Sequence, residues 1–431
     1  MTHVERWSRR LPVASMLALC TFLACSSDPG SNPNNDGGGG GGDGGANPQD
    51  GSAPGPDGTS PLPDGAPPTA SKAKLLTQKL GGGHANHFLV GVGNDGTNNG
   101  NDDAYNLGVT LDLHYHYLTG IHSSGGWTTW NSNPDYAGKR IRESRGHGQV
   151  TMLTVYMMAS WGDGNIKAEL ESAQFMADWF ADWTQLLATI KAENDPVVLH
   201  VEPDFWGYVQ QQGVTKALVS QSKAAECGGQ PDTIAGFGKC LVAMTRARAP
   251  NAVLGFHASV WSTNMDTGSN TNPNLDVAAE AAKTVAFFKA SGLDQADFVA
   301  TDVSDRDAGC YEAGHAPMCA PKRTNVYWDE ANVALPNFKQ HFKWASALTT
   351  GLDLPLIWWQ IPYGSPSGAP GGAVGAWRDN RVHYFFAHVG ELVAAGGVGA
   401  AWGVGAGDQT YLTNEFKTAV KGYFGSPFPL P

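Results

Sequence analysis

The feature that most constrains this chain is a regular alternation along its length. From Ala73 onward, eight short runs rich in apolar and β-branched residues are separated by stretches long enough for helices. The runs cover 87–92, 108–117, 150–158, 197–201, 252–257, 298–303, 354–360 and 398–404. Between two of them, Phe175, Trp179, Trp183, Leu186, Leu187 and Ile190 recur at helical spacing. Stretches 277–289 and 381–395 read as helices as well. Strands that alternate with helices in this number predict an α/β fold, a (β/α)8 TIM-type barrel forming one domain over 73–431. The competing open doubly wound sheet normally carries a glycine-rich phosphate loop after its first strand. Here Gly91-Val92-Gly93-Asn94 lacks the third glycine, so no nucleotide site is expected.

Ahead of this body lie two segments of different character. Arg6, Arg9 and Arg10 precede an apolar stretch from Leu11 to Ala24, the pattern of an export signal. It ends in Phe22-Leu23-Ala24-Cys25, which resembles a bacterial lipobox with Phe22 where Leu is usual. Residues 1–25 are therefore expected to be a lipoprotein-type signal with Cys25 as the lipidated residue; simple cleavage near Ala24 is the alternative. Either outcome predicts an exported protein, held at the outer surface or secreted. Residues 26–72 are Gly, Pro, Ser, Asn, Ala and Thr with scattered Asp, too poor in apolar side chains to offset ordering entropy, and are expected to form a disordered linker.

Of the six cysteines, Cys20 and Cys25 fall in the signal. The others form two close pairs, Cys227 with Cys240 and Cys310 with Cys319, which an exported chain would oxidise to disulfides. Neither pair has the two-residue spacing of a zinc knuckle, so no metal is assigned. The Asp/Asn-rich loop 94–103 has room for Ca²⁺ but not the spacing of an EF-hand. A net charge of −12 without a basic stripe argues against nucleic acid as a partner. No apolar run beyond the N-terminus is long enough to span a membrane, so membrane contact is expected only through the lipid at Cys25. A monomer without a cofactor is expected.

In a barrel of this kind function sits where the strands end. The second run puts Asp112, His114 and His116 on one face. The third leads into Trp161 and Asp163. The fourth carries His200, Glu202 and Asp204 on one face, with Phe205 and Trp206 next. His257 and Trp261 follow the fifth, Asp302 the sixth, Trp359 and Gln360 the seventh, and Trp402 the last. Flat aromatic rings stack on the C–H faces of sugars, while carboxylates, amides and imidazoles bind hydroxyls. Glycosidic cleavage takes one carboxylic acid to protonate the leaving oxygen and a second carboxylate to act on water or on the sugar. Glu202 is the expected acid, its pKa raised by burial beside Phe205 and Trp206. Asp302 is its expected partner, with Asp163 and Asp204 behind it. His114, His116, Trp161, Trp206, His257, Trp261, Trp359, Gln360 and Trp402 are the expected substrate-binding residues. Some have a structural alternative: Asp204 as a helix N-cap, Asp302 or Asp305 as a partner of Arg306, His114 and His116 as wall residues. Trp179 and Trp183, on helical spacing, are expected in the core.

These strand-end residues resemble those of secreted (β/α)-barrel glycoside hydrolases. In the large retaining clan of such enzymes an acid/base Glu follows the fourth strand and a nucleophilic Glu ends the seventh. Glu202 matches the first position, whereas Trp358-Trp359-Gln360 stands at the second. The missing nucleophile favours an inverting route. Glu202-Pro203-Asp204 after an apolar strand is similar to a segment of glycoside hydrolase family 6, the inverting cellulases, with loose similarity over 150–265. That family's acid is an Asp in the loop after the preceding strand, nearest here to Asp163. The resemblance implies cleavage of an extracellular polysaccharide, a β-glucan such as cellulose, without a cofactor. A non-catalytic polysaccharide-binding lipoprotein is the alternative from another class. A polysaccharide lyase is a third, and would want a basic cleft.

Overall fold

The computed structural model of the chain describes residues 69–93, 104–131, 135–158 and 165–431. Eight parallel strands close into a barrel: β1 (Leu89–Gly93), β2 (Leu113–Thr119), β3 (Val150–Tyr156), β4 (Val197–Val201), β5 (Ala252–His257), β6 (Phe298–Thr301), β7 (Leu356–Ile361) and β10 (Gly397–Trp402). β10 pairs with both β7 and β1, which completes the ring. A short antiparallel hairpin, β8 (Gly372–Ala373) with β9 (Ala376–Trp377), lies in the connection from β7 to β10. The expected (β/α)8 barrel is thus the observed one, and β4 and β5 match the expected runs residue for residue.

Helices occupy the connections. They are α1 (Thr69–Leu80), α2 (Tyr136–Gly146), α3 (Ile166–Leu170), α4 (Ala173–Glu193), α5 (Phe205–Gln212), α6 (Ile234–Arg248), α7 (Val277–Ser291), α8 (Ala308–Ala313), α9 (Phe338–Leu352), α10 (Arg381–Ala387), α11 (Val389–Ala394) and α12 (Asn414–Gly425). The first helix begins inside the stretch expected to be linker. The rest of that stretch, the signal with Cys25, and the whole of loop 94–103 lie outside the described residues. In α4, Ser172 caps the first turn by accepting from the Phe175 amide, and the helix buries Trp179, Trp183, Leu186, Leu187 and Ile190 against the barrel. Both disulfides are present: Cys227–Cys240 and Cys310–Cys319.

Large inward side chains fill the barrel, and glycine makes room for them. A Cβ on Gly255 of β5 would lie 2.3 Å from the Phe298 ring. The Tyr115 ring occupies the space beside Gly93 and Gly403, where added Cβ atoms would meet it at 2.4 and 1.5 Å. Alternation then carries Tyr117 of β2, Thr154 and Tyr156 of β3, His200 of β4, His257 of β5 and Trp359 of β7 to the same interior, where their rings and polar atoms meet.

Candidate active site

A cleft of about 340 Å³ opens where β4, β5 and β6 end. That is within the range of small-molecule sites, about 300–1,000 Å³. Asp204, just past β4, and Asp302, just past β6, both line it. Between them, Trp261 follows β5, and its ring lies 4.5 Å from that of Tyr208 on α5 at a 46° tilt. The close approach depends on Gly207, where a Cβ would sit 2.6 Å from Ser259 Oγ and 2.9 Å from the Trp261 ring. Asp266 and Arg381 complete the wall. Asp266 is engaged by its own turn, accepting from the Gly268 amide and the Ser269 hydroxyl at 2.9 and 2.7 Å. Arg381 is buried, pairs with Asp379 at 2.5 Å and lies 4.7 Å from the Trp328 ring centre.

The two cleft carboxylates are held differently. Asp302 accepts from His257 Nε2 at 3.2 Å, and its side chain is 15% exposed. Burial is the largest single influence and opposes its charge, but the His257 hydrogen bond, the carboxyl's own backbone amide and the neighbouring imidazoles together outweigh it and hold the carboxyl below the usual carboxylate range. Asp204 Oδ2 accepts from the Tyr156 hydroxyl at 3.3 Å. Asp204 occupies the N-cap position of α5, yet its side chain makes no capping hydrogen bond. Neither Asp302 nor Asp204 pairs with Arg306, which binds Asp305 instead.

Glu202 is not part of this cleft, which corrects the expectation that it faces the mouth as the acid. It is fully buried; its Oε1 accepts from the Met157 and Met158 amides at 3.2 Å and from Trp179 Nε1 of α4 at 3.1 Å. The reason is local. Strand alternation would place His200, Glu202 and Asp204 together, but the strand stops at Val201 and Glu202 takes a left-handed φ of 57°. That rotation sends the carboxyl toward the helix layer, where burial raises its pKa to about 8.

Four further expectations are corrected in the same way. His114 and His116 lie on the outer side of β2, because Tyr115 and Tyr117 take the interior positions; burial depresses both imidazoles, His114 to about 3. Asp112 shares that outer side and accepts from the His84 and His87 rings, both at 2.9 Å. Trp206 is core: it stacks on Phe237 and donates to the Val201 carbonyl. Trp402 is core as well, stacked at 4.8 Å on Phe386 of α10. Trp359 and Gln360 sit inside the barrel below the cleft wall. Trp359 packs against His200 and His257, and Gln360 Oε1 accepts from the Tyr117 hydroxyl at 2.6 Å. Asp163 and Trp161 lie outside the described residues. Of the expected set, the cleft brings together Asp204, Trp261 and Asp302, with His257 directly behind.

Tyr208, Tyr156 and Tyr117 were not among the site residues expected from sequence. The two strand tyrosines share the parity of Thr154 and Tyr115, a signal that alternation carries. Tyr208 follows the glycine that lets Trp261 close in, a relation visible only after folding. Among the described residues no cluster of His, Cys, Asp and Glu is arranged to hold a metal ion.

No protein-family model matches the chain, and no curated protein matches it. Solved structures similar to it include a modular endo-β-1,4-mannanase of glycoside hydrolase family 26 from Cellulomonas fimi, at 11% identity and TM-score 0.49, covering 84% of this chain and 75% of that one. A Bacteroidetes-affiliated family 5 cellulase is similar at 11% identity and TM-score 0.44, over 82% and 92% of the two chains. The cellobiohydrolase Cel6A of Humicola insolens is similar at 12% identity and TM-score 0.33, over 61% and 64%. At these values the likeness is one of backbone path; the barrel itself rests on the strand pairing described above.

Proposed function

We propose that the chain is a glycoside hydrolase that cleaves a neutral polysaccharide, with a β-glucan such as cellulose as the leading candidate, between Asp204 and Asp302. The observation that carries this reading is the cleft itself. Two carboxylates from the ends of β4 and β6 share it with a tilted Tyr208–Trp261 pair suited to a sugar face, and one of them is hydrogen-bonded to His257.

The roles follow from the two environments. Asp302, kept in its anionic form, is the base that takes a proton from water as the water attacks the anomeric carbon. Asp204, across the cleft, takes the part of the acid that protonates the departing oxygen. Gln360 at the end of β7 supplies no nucleophile, which favours inversion. Two disulfides accord with an oxidising compartment. On this reading the enzyme is exported and Cys25 anchors it by a lipid; radiolabelled palmitate should enter the wild type and not Cys25→Ser, and equal labelling would remove the anchor.

Reducing-end release from mixed-linkage β-glucan and swollen cellulose tests the chemistry. Asp302→Asn and Asp204→Asn should each lose about 10²–10⁴-fold in kcat, the usual contribution of a positioned acid or base. Asp204→Asn should keep much of its activity on 2,4-dinitrophenyl β-cellobioside, whose leaving group needs little protonation, while Asp302→Asn should not. A wild type that binds glucan and releases nothing would sink the hydrolase in favour of a binding protein.

A further inference from the structure

The proposed chemistry leaves one buried polar group unexplained. His200 is fully buried inside the barrel, and its contacts run in sequence. Thr154 Oγ1 lies 3.4 Å from His200 Nδ1, His200 Nε2 lies 3.1 Å from His257 Nδ1, and His257 Nε2 lies 3.2 Å from Asp302 Oδ1. An ionised Asp302 only accepts, so His257 carries hydrogen on Nε2. A neutral His257 then accepts at Nδ1, which requires hydrogen on His200 Nε2. His200 in turn accepts at Nδ1 from the Thr154 hydroxyl. With His257 neutral, every donor meets an acceptor in this one arrangement. Burial depresses the His200 imidazole well below its ordinary range, so it has a single N–H to give. The Trp359 ring meets both imidazoles edge-on, 4.9 Å from His200 and 5.7 Å from His257.

We infer that His200 is a positioning residue for the cleft: by donating its one N–H to His257, it fixes the tautomer that directs His257 Nε2–H at Asp302. The inference rests on the reading of Asp302 as the base. Other titratable groups face Asp302 as well: His341 from α9, which burial keeps neutral, Arg381 from α10, and Asp204, Asp305 and Arg323 within the cleft. His257 is distinct among them because both its ring nitrogens are committed, one to His200 and one to Asp302.

Nitrogen-15 NMR of the imidazoles at pH 8 tests this without reference to turnover. Wild-type His200 and His257 should both show the Nε2–H pattern. In His200→Leu the His257 signal should become a mixture of tautomers. His200→Gln, whose amide N–H replaces the lost donor, should restore the Nε2–H pattern. On mixed-linkage β-glucan, His200→Leu should lower kcat about tenfold with KM within about twofold, and raise the acid limb of the pH profile by about one unit, with most of this recovered in His200→Gln. A wild-type His257 that carries its hydrogen on Nδ1, or one whose tautomer is unchanged in His200→Leu, overturns the inference whatever the kinetics. Should His200→Leu fail to fold, the wild-type and His200→Gln spectra decide. The expected tautomer changes in a protein that releases no sugar would support the positioning role and sink the hydrolase instead.

Discussion

A single dihedral angle decides what Glu202 does. The left-handed backbone there costs about 1–3 kcal/mol for a residue with a side chain, and the carboxyl's hydrogen bonds to two amides and an indole hold it in place. Burial raises this group from 4.5 to about 8, and Glu169 nearby is raised by burial to about 7. The folded protein therefore keeps a proton on Glu202 that the unfolded chain has already released. The sign follows: the stability from this group is complete below about pH 4.5, declines as pH rises toward 8, and is gone above it. Glutamine has the shape of the protonated acid. Thermal melts from pH 5 to 9 should show Glu202→Gln losing less stability than wild type, by on the order of a few kcal/mol at the alkaline end. Parallel curves would show that the carboxyl does not titrate there. The same variant should hydrolyse glucan within a few-fold of wild type, in contrast to Asp302→Asn.

On the proposed reading, the contact between α5 and the segment after β5 carries the sugar platform. Gly207→Ala would push its new methyl into Ser259 and Trp261, and overpacking of this kind costs about 1–3 kcal/mol. Trp261 is the more movable neighbour, so KM for glucan should rise several-fold with kcat little changed; an unchanged KM would remove Trp261 from the binding surface. At this scale the strands were readable in advance. β4 and β5 are short apolar runs with clear ends, and periodicity defines them fully. The faces were harder to assign. Alternation says that His114 and His116 share a side, but not that the side is the outer one, because the hollow that draws Tyr115 inward is made by Gly93 and Gly403 from the two neighbouring strand ends. Glu202 failed for a different reason: parity arguments hold only while the backbone stays extended, and it ceases to be so one residue after β4.

Across the molecule, connections distant in sequence are tied into one rim. Asp307, after β6, accepts from the Gly364 amide after β7 at 3.0 Å and from the Thr410 amide after β10 at 2.7 Å. Asp379 accepts from the Ala308 amide at 2.8 Å, and the Cys310–Cys319 disulfide lies alongside, with Gln409 Nε2 3.2 Å from Cys310 Sγ. Opening a short disulfide loop of this size should cost about 2–3 kcal/mol. Calorimetry of a Cys310→Ser, Cys319→Ser variant should therefore show a melting point lower by a few degrees; an equal melting point would mean that the buried carboxylates alone hold the rim. The imidazole file behind Asp302 has a consequence of its own. Its far end is a threonine sealed within the barrel, with no exposed atom beyond it. On the proposed reading, a file closed at one end passes no hydrogen ion on, so a proton that Asp302 takes up must leave again through the cleft by which it came.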